Sequence, residues 1–329
     1  MNNRFLISSM AMLSLAVGIS TASCDRHKPA DSSTSGITTL VCDESFKNII
    51  NQEVDVFEFT YPNASIMTYF TDERAAIDSL MNRKAGLIIT ARELTDKQKK
   101  YFKDQDRNVR CQRVAVDAIA IIVNKDNNVD ELSVSELREI MSGEASRWED
   151  VFPSKLGKIQ VIFDRQGSST MKYIADSVMQ GKKFSQDVFA CNSNQEVFEQ
   201  VEKRKNSIGV IGVSWITADL QSPDIDHRSM QEKVDNLQKN DTAAIDFTNR
   251  IKVLKIRRDN DPNAYKPYQL YIYEGSYPLY RSVYAITTSP NGSLAHGFYS
   301  FLTGFIGQKI ILNTGVMPAT VHPRMVSLE

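Results

Sequence analysis

The sequence predicts an α/β protein built in two lobes, and three observations carry that expectation. Strand and helix signals alternate along most of the chain, the pattern of sheets covered by helices. Roughly 290 residues remain once a leader and a polar tether are set aside from the 329, more than one hydrophobic core usually serves. Beyond the leader, no segment is apolar for long enough to span a bilayer, so the apolar residues are expected to form water-soluble cores.

The chain opens with the leader. Arg4 supplies one positive charge, residues 5–19 are apolar apart from small polar residues, and Ser20-Thr21-Ala22-Ser23 lead to Cys24. A positive start, a short apolar run and small residues before a cut mark a secretory signal peptide over residues 1–23. Small residues directly before a cysteine resemble the lipobox of bacterial lipoproteins, although Thr21 stands where that pattern usually has Leu. The likeness implies cleavage before Cys24 and acylation of its sulfur, palmitate included. Two or more acyl chains hold a protein stably to a membrane. Residues 24–36 would then be the lipidated cysteine and a polar, flexible tether (DRHKPADSSTSG). The expected place is the cell envelope, with a folded domain in the periplasm.

The elements follow in order. Residues 36–42 (GITTLVC) are β-rich and lead into a helix with Phe46, Ile49 and Ile50 on one face. Residues 54–59 (VDVFEF) alternate as a strand, and residues 71–83 place Ala76, Ile77, Leu80 and Met81 at helical spacing before the strand 86–90 (GLIIT). Residues 114–123 (VAVDAIAIIV) read as a long buried strand. Ser133 with Glu136 forms a capping box opening a helix that Gly143 ends. A strand at 159–163 precedes a helix at 168–180, closed by Gly181. Ser193 with Glu196 starts the next helix, and 208–213 (IGVIGV) is a short strand. Residues 217–250 read as a charged surface excursion. Aromatics cluster over 265–284, a strand follows at 283–287, and a helix runs over about 293–312.

The most informative stretch for chemistry is Phe163-Asp164-Arg165-Gln166-Gly167-Ser168-Ser169-Thr170. A strand ends, a Gly turns the chain, and three hydroxyls lie across a helix start. Unpaired N–H groups and the positive end of the dipole make such a start a binder of anions. Hydroxyls add donors, and Arg165 can add a charge-assisted bond. Ser168 or Ser169 can equally serve only as the helix cap.

Gly-Ser-Ser-Thr after a strand resembles the Gly-Ser-Gly-Thr anion loop of the phosphate-binding proteins of phosphate ABC transporters. Residues 133–151 with Trp148, the strand 207–213, and Tyr277-Pro278-Leu279 match that family in the same order. The resemblance implies a type II periplasmic binding protein, with two α/β lobes, two crossovers and a ligand cleft between. It places lobe I at 37–115 plus 280–329, lobe II at 116–279, and crossovers near 114–118 and 277–282. It implies capture of an inorganic oxyanion, phosphate in that family's pattern, for an ABC permease. Carried over by position, Ser168, Ser169 and Thr170 match the anion loop and Ser45 matches the first-loop hydroxyl. Thr68 or Thr71 falls at the second loop. The family's loop Arg is replaced by Asp164, with Arg165 one step on. Its two pocket carboxylates fall at Gln166 and at Ala91-Arg92, so the expectation is a pocket that lacks them and in which Arg92 supplies positive charge.

Other functions find less support. The 39 Lys and Arg nearly balance the 40 Asp and Glu and form no stripe, so nucleic acid is not an expected partner. The four histidines are scattered, and Gly-x-Ser-x-Gly, His-Glu-x-x-His and a P-loop are absent, so no enzyme, cofactor or metal is expected. Cys42, Cys111 and Cys191 allow at most one disulfide and read better as buried apolar residues. The alternative to transport is a sensor or assembly component of an envelope complex that keeps the two-lobed fold.

Overall fold

The computed structural model describes residues 31–217, 230–232, 234–235 and 247–320. The signal peptide, Cys24 and most of the 217–250 excursion lie outside the described residues.

The first half of the fold is a parallel βαβ arrangement. Strand β1 (Gly36–Asp43) pairs in parallel with β2 (Ala64–Thr71) and with β3 (Leu87–Thr90). Helices α1 (Lys47–Thr60) and α2 (Glu73–Met81) make the connections, and α3 (Asp96–Lys103) follows β3. Asp72 caps α2 by accepting from the Ala75 amide at 2.9 Å, which fixes where β2 stops.

Strand β4 (Arg110–Asn124) is the spine of the molecule at 15 residues. Its first part pairs antiparallel with β11 (Tyr280–Thr287), and from Ile119 to Val123 it pairs instead with β8 (Ser207–Gly212). The second half adds β5 (Glu131–Ser133), α4 (Val134–Ser142), β6 (Gln160–Phe163), α5 (Ser169–Ser177), β7 (Phe189–Ala190) and α6 (Asn194–Lys203). Two short strands, β9 (Ile251–Val253) and β10 (Lys255–Arg257), and helix α7 (Gln269–Tyr273) lead into β11. The chain then finishes through α8 (Leu294–Thr303), α9 (Phe305–Asn313) and β12 (Met317–Pro318). The sheet runs β2-β1-β3-β11-β4-β8-β6-β7, so β4 and β11 lie at its middle, between the strands of the first half and those of the second, while Met230 and Val234 pack against Val56 and Ile310 of the first half. That is the expected two-lobed α/β layout.

The capping box predicted at Ser133 and Glu136, with the left-handed Gly143 (φ 82°) behind it, is present. The second box expected at Ser193 and Glu196 is only half formed, since Ser193 caps the helix while the Glu196 carboxylate accepts from the Asn192 amide instead. Two expectations need correction. Residues 54–59 are not a strand but the second half of α1, because Ile49, Ile50, Glu53, Val54, Val56 and Phe57 bury one helical face. The strand is β2, which begins ten residues later than the strand that reading places at 54–59. The last helix is two helices, since Gly304 adopts an extended ψ of 173° between them. Cys42 and Cys191 are buried and Cys111 is half-buried, and all three thiols are free.

Glu53 is an anomaly in α1. It is fully buried, neither carboxyl oxygen has a hydrogen-bond partner among the described residues, and burial pushes its pKa well above the ordinary range. An unsatisfied buried carboxyl costs about 1–3 kcal/mol. Glu53→Leu should therefore raise stability at pH 7 by about that much in urea denaturation; a loss would mean that the carboxyl has a stabilising partner.

Candidate functional site

The C-terminal ends of parallel strands collect the loops that could hold a ligand. At the end of β1, Asp43 accepts a bond from the Ser45 amide at 2.9 Å and so starts the short turn 44–46. That turn sets Ser45 facing the second half of the fold, and Trp215 fixes it by donating from Nε1 to the Ser45 carbonyl at 3.0 Å. At the end of β6, Gly167 takes φ +78°, a left-handed turn that a side chain would strain. Ser168 caps α5, accepting from the Met171 amide at 3.0 Å and donating to Asp164 Oδ1. Ser169 and Thr170 occupy the first turn of α5 and are buried.

These two loops meet. Ser45 Oγ lies 3.2 Å from Ser169 Oγ and 3.2 Å from Thr170 Oγ1. The guanidinium joining them comes from Arg281 on β11. One of its Nη groups donates to Ser169 Oγ at 2.7 Å and to Thr170 Oγ1 at 3.3 Å. Its Nε and other Nη donate to Asp117 Oδ2 at 3.3 and 3.1 Å. The guanidinium carbon also sits 4.7 Å from the centre of the Phe46 ring. Arg281 and Asp117 are direct neighbours in the β11–β4 register, on the two strands that run between the halves. Gly212 leaves the space for Asp117, because a Cβ there would stand 3.1 Å from Oδ2.

Carboxyl groups crowd this junction. Burial raises the pKa of Asp43 and of Asp117, and the nearby Arg281 offsets part of each rise. Burial pushes Asp164 up to about 6, against the bond from Ser168 and the charge of Arg281. Burial also raises Glu44, while a bond from Asn194 at 2.7 Å works the other way. Asp43 Oδ2 and Asp117 Oδ1 have no hydrogen-bond partner among the described residues. The positions at which the resemblance puts pocket carboxylates, Gln166 and Ala91-Arg92, carry none. Other carboxylates stand near the hydroxyls instead: Asp43 at the end of β1 and Asp117 in the middle of β4.

A cavity of about 150 Å³ opens beside the hydroxyls, lined by Glu73, Arg92, Lys172, Tyr173 and Arg281 among others. Arg92 is at this cavity, and its Nε pairs with Glu73 at 2.7 Å. Arg165 is set differently. Its carbonyl accepts from the Ser168 amide at 3.0 Å, its charge helps lower the pKa of Glu44, and among the described residues its guanidinium makes no hydrogen bond to the hydroxyl cluster. Thr68 and Thr71 lie on β2 and make no hydrogen bond to the cluster among the described residues. No group of three or more His, Cys, Asp or Glu among the described residues is arranged to hold a metal ion.

Arg281 and Asp117 escaped sequence reading, yet each left a signal. Asp117 is the lone charge inside the apolar run 114–123, and a buried strand keeps such a charge only beside a partner. Arg281 follows Tyr277-Pro278-Leu279, at the point where the resemblance puts the return crossover.

Among the described residues, the two halves of the sheet meet at β4 and β11, and the hydroxyl loops face each other across them. A family model described as a PBP superfamily domain matches residues 28–304. The chain belongs to the PBP superfamily. Within it, the phosphate-binding protein PstS of Pseudomonas aeruginosa is 23% identical over 334 residues, covering 95% of this chain and 94% of that protein. PstS of Staphylococcus haemolyticus is 29% identical over 160 residues, 47% of this chain. The chain spans only 49% of that relative and 60% of the PstS of Staphylococcus saprophyticus, to which it is 26% identical. The fold is similar to that of a putative phosphate ABC transporter substrate-binding protein with bound phosphate from Clostridium perfringens. That match has a TM-score of 0.68 at 17% identity, over 87% of this chain and all (100%) of the other. An ABC-type phosphate transport receptor from Vibrio cholerae matches with a TM-score of 0.59 at 19% identity, over 85% and 99%. The type II periplasmic-binding-protein fold expected from the sequence is the fold of this PBP-superfamily chain.

Proposed function

We propose that this chain is a membrane-tethered solute-binding protein that captures an inorganic oxyanion, phosphate, for an ABC permease. The observation that carries the reading is the convergence of Ser45, Ser169, Thr170 and Arg281 on one point between the halves. Three hydroxyl donors, a guanidinium and the start of α5 suit a tetrahedral oxyanion. Asp43 and Asp117 each hold an unpartnered oxygen there, which suits the proton of a protonated phosphate and repels sulfate, which has none to give. Arg92 and Lys172 at the neighbouring cavity supply positive charge on the way in, and Ser168 holds the loop in shape. Residues 37–115 with 280–329 form one lobe and 116–279 the other. They close by bending at β4 and β11, and ligand contacts from both sides favour closure. An acylated Cys24 keeps the domain at the membrane. The activity is capture and release, with no chemical step.

Calorimetric titration of the chain beginning after Cys24, with phosphate, sulfate, arsenate and molybdate, tests this. Micromolar or tighter phosphate binding with sulfate excluded is the expected result. Thr170→Val removes one hydroxyl and should weaken phosphate by roughly 1–2 kcal/mol; unchanged affinity in folded protein would take Thr170 out of the site. A second reading rests on a specific feature: Arg281 already links Asp117, Ser169 and Thr170 through protein groups alone. Such a network suits an envelope component that keeps the fold without carrying solute. Binding of none of the four anions by folded protein would favour it.

A further inference from the structure

The pole of the first half opposite the cleft carries a second feature that the site does not use. An open groove of about 420 Å³ lies at the N-terminal ends of β1 and β3, and Ile37, Met67, Arg83, Lys84 and Arg107 line it. Lining residues include three bases and no carboxylate. The apolar residues are unusually open: Ile37 is 64% exposed, Met67 46%, and Tyr69 on the same strand 56%. Helix α2 explains the boundary. It covers Val41 farther along β1 with Ala76, Ile77 and Leu80, and leaves the start of that sheet face bare. Arg107 is fixed in the groove by donating to the carbonyls of Leu80 and Met81 and to Thr288 Oγ1. Arg110, close by, donates to the Ser289 carbonyl. Among the described residues no ion pair offsets Arg83, Lys84, Arg107 or Arg110, and partial burial lowers the pKa of Arg107, with the nearby Arg83 lowering it further.

The first of the described residues also lie at this pole. Asp31 accepts a bond from the Leu294 amide at 3.2 Å and lies against Gly36, the residue before Ile37. Cys24 precedes Asp31 by seven residues, a reach of at most about 25 Å for an extended chain. A bilayer holding Cys24 is therefore within touching distance of the basic, apolar pole. Exposed Ile, Met and Tyr beside unpaired bases match the interface of a membrane with anionic headgroups.

We infer that the groove at Ile37, Met67, Arg83 and Lys84 is a docking surface for anionic phospholipid headgroups, which seats the tethered domain on its membrane by this pole. The inference rests on the reading of Cys24 as the lipid anchor, but the contact itself needs no acyl chain. The eight residues of β1 separate the pole from the cleft by roughly 26 Å. A seated domain would hold its cleft away from the bilayer, and delivery to a permease would require it to lift off.

The chain from Asp25 onward is a fair test object, since residues from Asp31 on form a compact unit by themselves. It should float with vesicles of phosphatidylcholine containing 30% phosphatidylglycerol and not with phosphatidylcholine alone, less so as salt rises. Each base near such a surface contributes about fivefold, so Arg83→Glu with Lys84→Glu should lower binding at least about twentyfold. Ile37→Ser with Met67→Ser should lower it too, and neither pair should change phosphate titration at the cleft. Equal binding to both vesicles, no binding to either, or indifference to the charge reversal would overturn the inference. So would displacement by inorganic phosphate beyond that by chloride at matched ionic strength, which would make the groove a site for free phosphate. Palmitate incorporation at Cys24, measured separately, tells failure of the anchor reading from failure of this one.

Discussion

Arg281→Met should abolish phosphate binding and lower stability by about 3–5 kcal/mol, the usual result of removing one partner of a buried ion pair. Both losses have one origin. Arg281 and Asp117 are 5% and 0% exposed, and the salt bridge between them measures 3.1 Å. Without the guanidinium, Asp117 keeps a charge in a dry site or takes up a proton, and either costs free energy. Ser169 and Thr170 lose their shared donor as well. Adding Asp117→Asn should return most of the stability, because the stranded charge is gone, and none of the binding. Urea denaturation and calorimetry read the two quantities independently. Wild-type phosphate affinity in the single variant would remove Arg281 from the ligand site and leave it a purely structural residue.

The second large effect is on pH dependence. Asp164 is fully buried, with a pKa raised from 3.8 to about 6 by that burial. The folded state therefore holds a proton more tightly than the unfolded chain. The associated stability is complete below about pH 4 and is lost as pH rises through about 6. The shift of about two units corresponds to at most on the order of 3 kcal/mol at 1.36 kcal/mol per unit. Asp43 and Asp117 are raised in the same direction and steepen the same fall. Asp164→Asn can still accept from Ser168, so it should keep the loop and flatten stability between pH 4 and 7. A denaturation series over that range checks it; an unchanged slope would mean that Asp164 does not titrate there. Phosphate affinity should weaken over the same interval, since a new negative charge appears next to Ser168.

The exchange of charge around Asp164 changes how the family likeness applies. In the phosphate-transporter pattern, the position of Asp164 belongs to an arginine on the anion loop. Here the carboxylate is on the loop, and the arginine reaches the same hydroxyls from β11. One positive and several acidic groups still share the site, but each stands on a different element. Arg165, the nearest arginine in sequence, makes no hydrogen bond to these hydroxyls among the described residues, while Arg281, more than a hundred residues away, donates to Ser169 and Thr170.

Local signals were enough for much of the fold. Strand and helix periodicity, the Ser133 and Ser193 caps and the turns at Gly143 and Gly167 depend on a few adjacent residues, and the chain alone determined them. It also determined the loop 167–170 and Ser45 as hydroxyl-bearing positions at strand ends. It failed where a local pattern fitted two structures. Residues 54–59 alternate like a strand, yet Val54 and Phe57 fall on the buried stripe of α1, and only packing against the sheet decides between them. The guanidinium and carboxylates of the site were decided by tertiary structure alone. Asp117 and Arg281 are 164 residues apart, and the β4–β11 register brings them side by side in a space too dry for either to stand alone. Cross-strand register is set by the whole sheet, and no short stretch of sequence contains it.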